Sequence, residues 1–403
     1  MSTSQFELRA ANESGLASEQ TTATNDLTDA LPAITDPSLT TTHDTSVPDG
    51  GYGWIAVLGC AVITWWFVGT TYSWGILQAA LVRQGLSEAS TLSFVGSLTV
   101  ACIAFLAVAN ARIVTEIGAQ KLGFLGVTLL GVGEVVAGFA VRDVGALFAT
   151  VGVVMGVGTR YGEHGQRGHF EIIGILTLTT GLPAAWLIRE RSPAKRTTFI
   201  EWRLFTSLKF DLLLLSGIIG TFPLLVPPFF LPLYCQSIAL KPSVGAAMLA
   251  TFNFSGALGR IGCGLLCDII GPLNVLFATL LLTGISMLVL WPVSTTLVPL
   301  VMFAIWNGVA SGGFFAVMPT VVGSIFGTQK MPIAMGMIVT GWAGGYLMGG
   351  PIAGYMLGRY GGVEGGVAAF RPAMYYAGSM SLGAAALVAF MRLRIESAIW
   401  RKL

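Results

Sequence analysis

The sequence predicts an all-α polytopic membrane protein. Three observations lead there: 54% of the 403 residues are hydrophobic, only 10% are charged, and the mean hydropathy is +0.75. Soluble domains carry about 25% charged residues, so an ordinary soluble enzyme is excluded, as are collagen-like repeats and a disulfide-rich secreted scaffold. A span needs about 20 apolar residues, so the length admits roughly ten to twelve. The formal charge of +2 says little about partners, because basic residues in such a protein report topology. Nucleic-acid binding is not expected.

Residues 1–49 stand apart. They hold sixteen Ser/Thr, eight Asp/Glu and one Arg, a composition that cannot bury enough apolar surface to offset its ordering entropy. A disordered cytosolic tail is expected, with no signal peptide. Uncharged runs follow. Gly50–Val82 carries span 1, Ala89–Ala111 is a second run, and Leu122–Val141 is a third, interrupted by Glu134. Val144–Thr159 and Ile172–Ile188 are shorter, and between them lies the polar stretch 160–170, read as a solvent loop. Residues 50–188 therefore form a first bundle, and 189–210 a basic cytosolic loop with Arg189, Arg191, Lys195, Arg196, Arg203 and Lys209.

Residues 211–391 supply six spans: Leu212–Leu240, Pro242 to about Cys267, two within the uncharged stretch Ile269–Gln329, Met331–Gly358 and Pro372–Met391. Trp291, Pro292 and Pro299 mark the turn inside the long stretch, and 392–403 is a second cytosolic tail. Six spans against five, about eleven apolar segments in all, divided by a basic loop, is a two-bundle transporter plan with an incomplete first bundle. Lys/Arg placement puts both termini, the loop after span 2 (Arg112, Lys121) and the central loop on the cytosolic side. Three further spans before the central loop would break that parity, so one short run does not cross or a span is missing near residue 159.

The five cysteines all sit in apolar runs and suggest packing, not a disulfide framework. Cys263 and Cys267 share a helical face, but a zinc site needs more ligands than are near. Glu163, His164 and His169 match no zinc pattern either. No metal and no cofactor are expected. A phosphate-binding glycine loop is excluded, because no Lys-Ser/Thr follows the glycines of span 11.

At the start of span 1 stand Asp49, Gly50, Gly51, Tyr52, Gly53 and Trp54, an acidic flexible helix start followed by an interfacial aromatic anchor. This resembles the opening motif of the monocarboxylate porter family within the major facilitator superfamily. Gly264-x-x-x-Asp268-x-x-Gly271 resembles the superfamily's loop after span 8, where the carboxylate caps helix ends in one gating state. The corresponding loop after span 2 has Thr115 at the acidic position, Glu116 beside it and Gly118 at its end. The family's motif between spans 4 and 5 is absent. The resemblance thus implies a deletion, or an intron–exon error, that removes the end of span 4, its loop and span 5.

Ionisable groups at membrane depth are functional candidates. Glu134 is read as a proton-coupling carboxyl, or as a structural one bonded to a neighbouring helix. Arg260 suits bidentate contact with an organic anion. The alternatives are snorkelling and a pairing with Asp268. The resemblance places a substrate arginine at Arg260 and an acidic partner four residues earlier, where this chain has Gly256. Span 7 carries Pro223, Pro227, Pro228 and Pro232, each lacking a backbone donor. A bent gating helix is expected there, with Phe222 and Tyr234 as pocket aromatics, and Asn307 of span 10 adds a polar contact. The glycines of span 11 read as a packing face.

The expected function is a secondary active or facilitative transporter, not an enzyme, moving a small organic anion such as a monocarboxylate by alternating access, with a proton as candidate co-substrate. Efflux of a secondary metabolite is the second reading, and a non-transporting remnant or sensor the third. The expected site is the plasma membrane, with the lipid bilayer as the surrounding partner.

Overall fold

The computed structural model describes residues 51–137, 167–188 and 200–395, and every described element is helical. In the first half these are α1 (Tyr52–Arg83), α2 (Ala89–Phe105), α3 (Ala107–Ile117), α4 (Ala119–Ala137) and α5 (Arg167–Leu187). A 3-10 turn, Trp202–Thr206, leads into the second half. There α6 (Leu208–Thr221), α7 (Val226–Ser237), α8 (Pro242–Ile270), α9 (Pro272–Val293), α10 (Leu297–Gly327), α11 (Lys330–Arg359) and α12 (Gly366–Ile395) follow. Within α9 the segment Ser286–Leu290 is a π-helical turn.

Among the described residues six helices are long and apolar enough to cross a membrane. They become seven when α2 and the first part of α3, bent by 46° at Leu106, count as one. The 29-residue α8 is not among them, because Arg260, Asp268 and many small residues dilute its hydropathy.

Several boundaries differ from expectation. The polar stretch 160–170 is not all loop, since α5 starts at Arg167. The turn between the two spans of the uncharged stretch falls at Ser294–Thr296. Trp291 and Pro292 still belong to α9, and Pro299 sits in the first turn of α10, where a proline's missing N–H costs nothing. The basic loop ends earlier than residue 210, because α6 begins at Leu208. Arg392 is no tail residue: α12 runs to Ile395 and Arg392 is buried, bonded through Nε to Asn274 Oδ1 at the start of α9.

Span 7 is broken, though not where its prolines cluster. The break is Phe222–Leu225, containing Pro223. Pro227 and Pro228 occupy the first turn of α7, and Pro232 lies inside it. Having no N–H, Pro232 leaves the Pro228 carbonyl without its helical donor. That carbonyl faces Gly75 of α1, where any Cβ would run into it.

Tight approaches of this kind hold the molecule together. A Cβ on Gly259 would meet the Val309 carbonyl, and one on Gly312 the Gly256 carbonyl, so α8 and α10 cross backbone to backbone. On α11, Gly345 and Gly349 receive Thr221 and the Phe222 carbonyl, while Gly354 lies against the Ser90 backbone of α2, 2.6 Å from where its Cβ would be. Lipid tails supply no hydrophobic drive for helices to associate, so small residues that let backbones close up must do so.

One face of the molecule gathers the start of α1, the α3–α4, α8–α9 and α10–α11 turns, and the end of α5. Tyr52 donates to the Leu187 carbonyl (2.9 Å) and Gln120 to the Trp186 carbonyl (2.8 Å). Lys330 at the α10–α11 turn pairs with Glu201 (2.8 Å). The three turns share one backbone shape: Gly118 (φ 91, ψ 149), Gly271 (φ 90, ψ 145) and Gly327 (φ 77, ψ 162). Only glycine occupies this region without strain. The repeat of one turn in both halves is the geometric mark of the duplication that the two glycine motifs suggest.

α4 and α5 are antiparallel neighbours, with Gly123 near Ala185, Gly181 near Val127 and Gly131 near Leu178. The end of α5 thus lies beside the start of α4. The fourth apolar run, Val144–Thr159, lies outside the described residues.

Replacing Gly271 or Gly118 by Ala forces an L-residue into that region, at about 1–3 kcal/mol each. The melting temperature of purified protein should fall in both variants. Gly264→Ala should leave it unchanged or slightly raised, because Gly264 is helical and a Cβ there meets nothing within 4 Å.

Candidate functional site

A narrow cleft opens between α1, α8 and α10. Val68 and Tyr72 of α1, Phe252, Asn253 and Arg260 of α8, and Ser311 of α10 line it. The glycine crossing creates it. Gly256, Gly308 and Gly312 bring α8 and α10 so close that only the larger side chains flanking them stand out into the gap.

Arg260 is half-buried, its guanidinium 5.8 Å from the ring centre of Phe315. Among the described residues it has no ion pair, neither with Asp268 nor with any other carboxylate. The Gly256 carbonyl is covered by Gly312, so the position where the family resemblance would put an acid holds backbone contact instead. The Asn253 Oδ1 is buried without a hydrogen-bond partner. A cation at membrane depth with five N–H donors and no carboxylate beside it can receive an anion in two parallel bonds.

Two expected contacts lie elsewhere. Asn307 is adjacent in sequence to Gly308 but points away from the cleft. It is fully buried against α9, where its Nδ2 donates to Ser286 Oγ (2.8 Å) in the π turn. Tyr234 is also fully buried. Its hydroxyl donates to the Ser294 carbonyl (2.9 Å), and its ring meets Trp291 and Phe370 edge-on. Neither lines the Arg260 cleft, because which side of a helix meets the cleft depends on neighbours that the chain alone does not name. Phe222 sits in the α6–α7 break with its carbonyl against Gly349.

Asp268 is exposed in the last turn of α8, three residues before the Gly271 turn. Glu116 pairs with Arg112 of its own helix (2.7 Å). Glu134 lies on α4, and its side chain is outside the described residues, as are Asp49, Gly50 and His164. Of the opening motif, Tyr52 ties α1 to α5, Gly53 has open space, and Trp54 is 73% exposed, as suits an interfacial anchor. Tyr72, Asn253 and Phe315, which the structure brings to Arg260, carry no sequence signal that separates them from packing residues.

Tyr234→Phe should lower stability by about 1 kcal/mol through the lost bond to Ser294. It should leave ligand affinity at the cleft unchanged in a binding titration.

Residues 239–403 match the family model described as Major Facilitator Superfamily. Among curated proteins the chain is similar to the aspyridones efflux protein apdF of Emericella nidulans, 30% identical over 205 residues, covering 50% of this chain and 42% of that one. It is also similar to monocarboxylate transporter 13 of Rattus norvegicus, 24% identical over 367 residues, covering 78% of this chain and 84% of that one. The chain spans about half the length of the fungal relatives it matches. Its fold is that of a mutant form of the nucleoside transporter NupG, with a TM-score of 0.61 at 14% identity, covering 84% of this chain and 99% of that one. Its second half thus matches the major facilitator superfamily model, and its described helices share the fold of that transporter.

Proposed function

We propose that the chain is a membrane transporter that moves a small organic anion by alternating access, with Arg260 holding the anionic group. The observation that carries this reading is the guanidinium in a cleft between the two halves, without a carboxylate partner among the described residues. An intramembrane charge is costly and marks a substrate path by default. The likeness to monocarboxylate transporter 13 supports the same chemistry.

Alternating access needs two faces that close in turn. The halves meet tightly toward one face, through Gly75 on the Pro228 carbonyl and Gly354 on Ser90. Toward the opposite face, Ala107, Met331 and Met335 border an open apolar gap between α3 and α11. The open face carries Arg112, Lys121, Arg203, Lys209, Lys330 and Arg394, against Arg83, Lys241, Arg359 and Arg371 on the closed one. By the positive-inside rule the open face is cytosolic, which makes this an inward-open arrangement and supports cytosolic termini. Proton coupling through Glu134 belongs to the same reading.

Efflux of a secondary metabolite is the second reading, favoured by the 30% identity to the apdF efflux protein. The two differ in direction and share the site.

Purified full-length protein in proteoliposomes should take up labelled carboxylates. Arg260→Ala should reduce uptake at least tenfold, since a charge-assisted bidentate contact contributes about 1.5–3 kcal/mol. Arg260→Lys should retain part of it. Unchanged uptake in Arg260→Ala removes the arginine from the site. If Glu134→Gln keeps its dependence on an imposed pH gradient, Glu134 does not couple the proton.

A further inference from the structure

Arg260 is a charge without a counter-charge, and the shortage of acids extends well beyond its own contacts. The side chains around it are those of Tyr72 on α1, Asn253 on α8, and Ser311 and Phe315 on α10, all neutral. The helices packed against α8, namely α1, α7, α9 and α10, carry no Asp or Glu anywhere along their length. On α8 itself the one acid is Asp268, exposed and about 12 Å further along the helix axis. Glu134 stands on α4, which packs against α3 and α5, so a proton taken there leaves the Arg260 charge as it is. The free space in the cleft is about 30 Å³, room for a water or two. A guanidinium does not give up its proton, so this cation cannot neutralise itself.

Alternating access passes through a state in which both faces are shut. With an anion bound, the cleft enters that state as a neutral pair, the carboxylate oxygens lying in the fork of the guanidinium. Without one, the same state holds a bare cation that has lost its water, and an uncompensated buried charge is strongly unfavourable. The loaded site therefore changes face, and the empty one does not. A carboxylate on the cleft wall would remove this asymmetry by pairing with Arg260 whenever the site is empty. Gly256, one turn before Arg260 and on the cleft, has no side chain to supply it. At 253 the side chain is an amide, whose Oδ1 is buried without a hydrogen-bond partner. That oxygen is the end of a dipole and cancels no charge.

We propose that the chain is an obligatory exchanger of small organic anions: Arg260 lets the site change face only when an anion occupies it, so one anion enters for each that leaves. This rests on the reading of Arg260 as the anion contact. Uptake of a labelled carboxylate then requires a carboxylate on the far side of the membrane.

Full-length protein in proteoliposomes tests this with labelled pyruvate, whose low pKa keeps the membrane-permeant acid scarce at neutral pH. Valinomycin with equal potassium on both sides removes any opposing membrane potential. Vesicles loaded with unlabelled pyruvate should take up label at least tenfold faster than empty ones. Asn253→Asp keeps the side-chain size and puts a carboxylate on the cleft wall. It should fill empty vesicles at least tenfold faster than the unaltered chain does. That uptake should rise as the external pH falls, because the anion replaces the new carboxylate at Arg260 only once that carboxylate is protonated. Equal uptake by empty and loaded vesicles overturns the exchange proposal, and leaves the anion reading standing if Arg260→Ala abolishes that uptake. An Asn253→Asp variant that exchanges yet still fails to fill empty vesicles overturns it too, since the bare charge is then not what holds the empty site back. If exchange persists unchanged in Arg260→Ala, or neither kind of vesicle takes up label, the anion reading falls and the exchange proposal with it.

Discussion

Backbone reaching backbone through glycine is the constraint on which the rest of the structure depends. In a bilayer, burial of apolar surface does not distinguish a neighbouring helix from a lipid tail, so cohesion must come from close contact. Here the contacts are between glycine and carbonyl: Gly75 on Pro228, Gly259 on Val309, Gly312 on Gly256, Gly349 on Phe222. Each fixes both the distance between two helices and their rotation, because a glycine turned away from the crossing would be replaced there by a side chain too large to fit. Arg260 owes its place to this. It lies one residue beyond Gly259 and four beyond Gly256, so the face locked against α10 sets the direction in which the guanidinium leaves α8.

The prolines of span 7 act through the same contacts. Pro232 frees the Pro228 carbonyl, and Gly75 of the other half covers it. A carbonyl without its helical donor is expensive in lipid, so the closed face is where that group is shielded. The break at Phe222–Leu225 lies within the same helix pair and rests on α11 through Gly345 and Gly349. Bend and freed carbonyl thus lie on one helix, against the other half.

What the sequence made legible follows from what is local. The glycine ending each motif, Gly118 and Gly271, could be read because a turn of that shape accepts no other residue without strain, and the chain spells it at matching places in both halves. Arg260 was legible because a lone charge in an apolar run stands out. Its aromatic neighbours Phe315 and Tyr72 were not, since they look like any others among 23 Phe and 9 Tyr. Tyr234 and Asn307 show the reverse. Both are polar groups at depth, yet the Tyr234 hydroxyl donates to the Ser294 carbonyl and the Asn307 Nδ2 to Ser286. Depth can be counted along a helix, whereas the face turned to the cleft is decided by neighbours far away in sequence.

The antiparallel pairing of α4 with α5 has a consequence for how such a chain can change over time. Because the two helices run in opposite directions and sit side by side, a hairpin could be added or removed between them without inverting anything downstream. The basic loop would stay on its own side, and the second half would insert in the same orientation either way. The point between α4 and α5 is therefore a seam, at which the first half can differ in size while the Arg260-bearing half keeps its geometry.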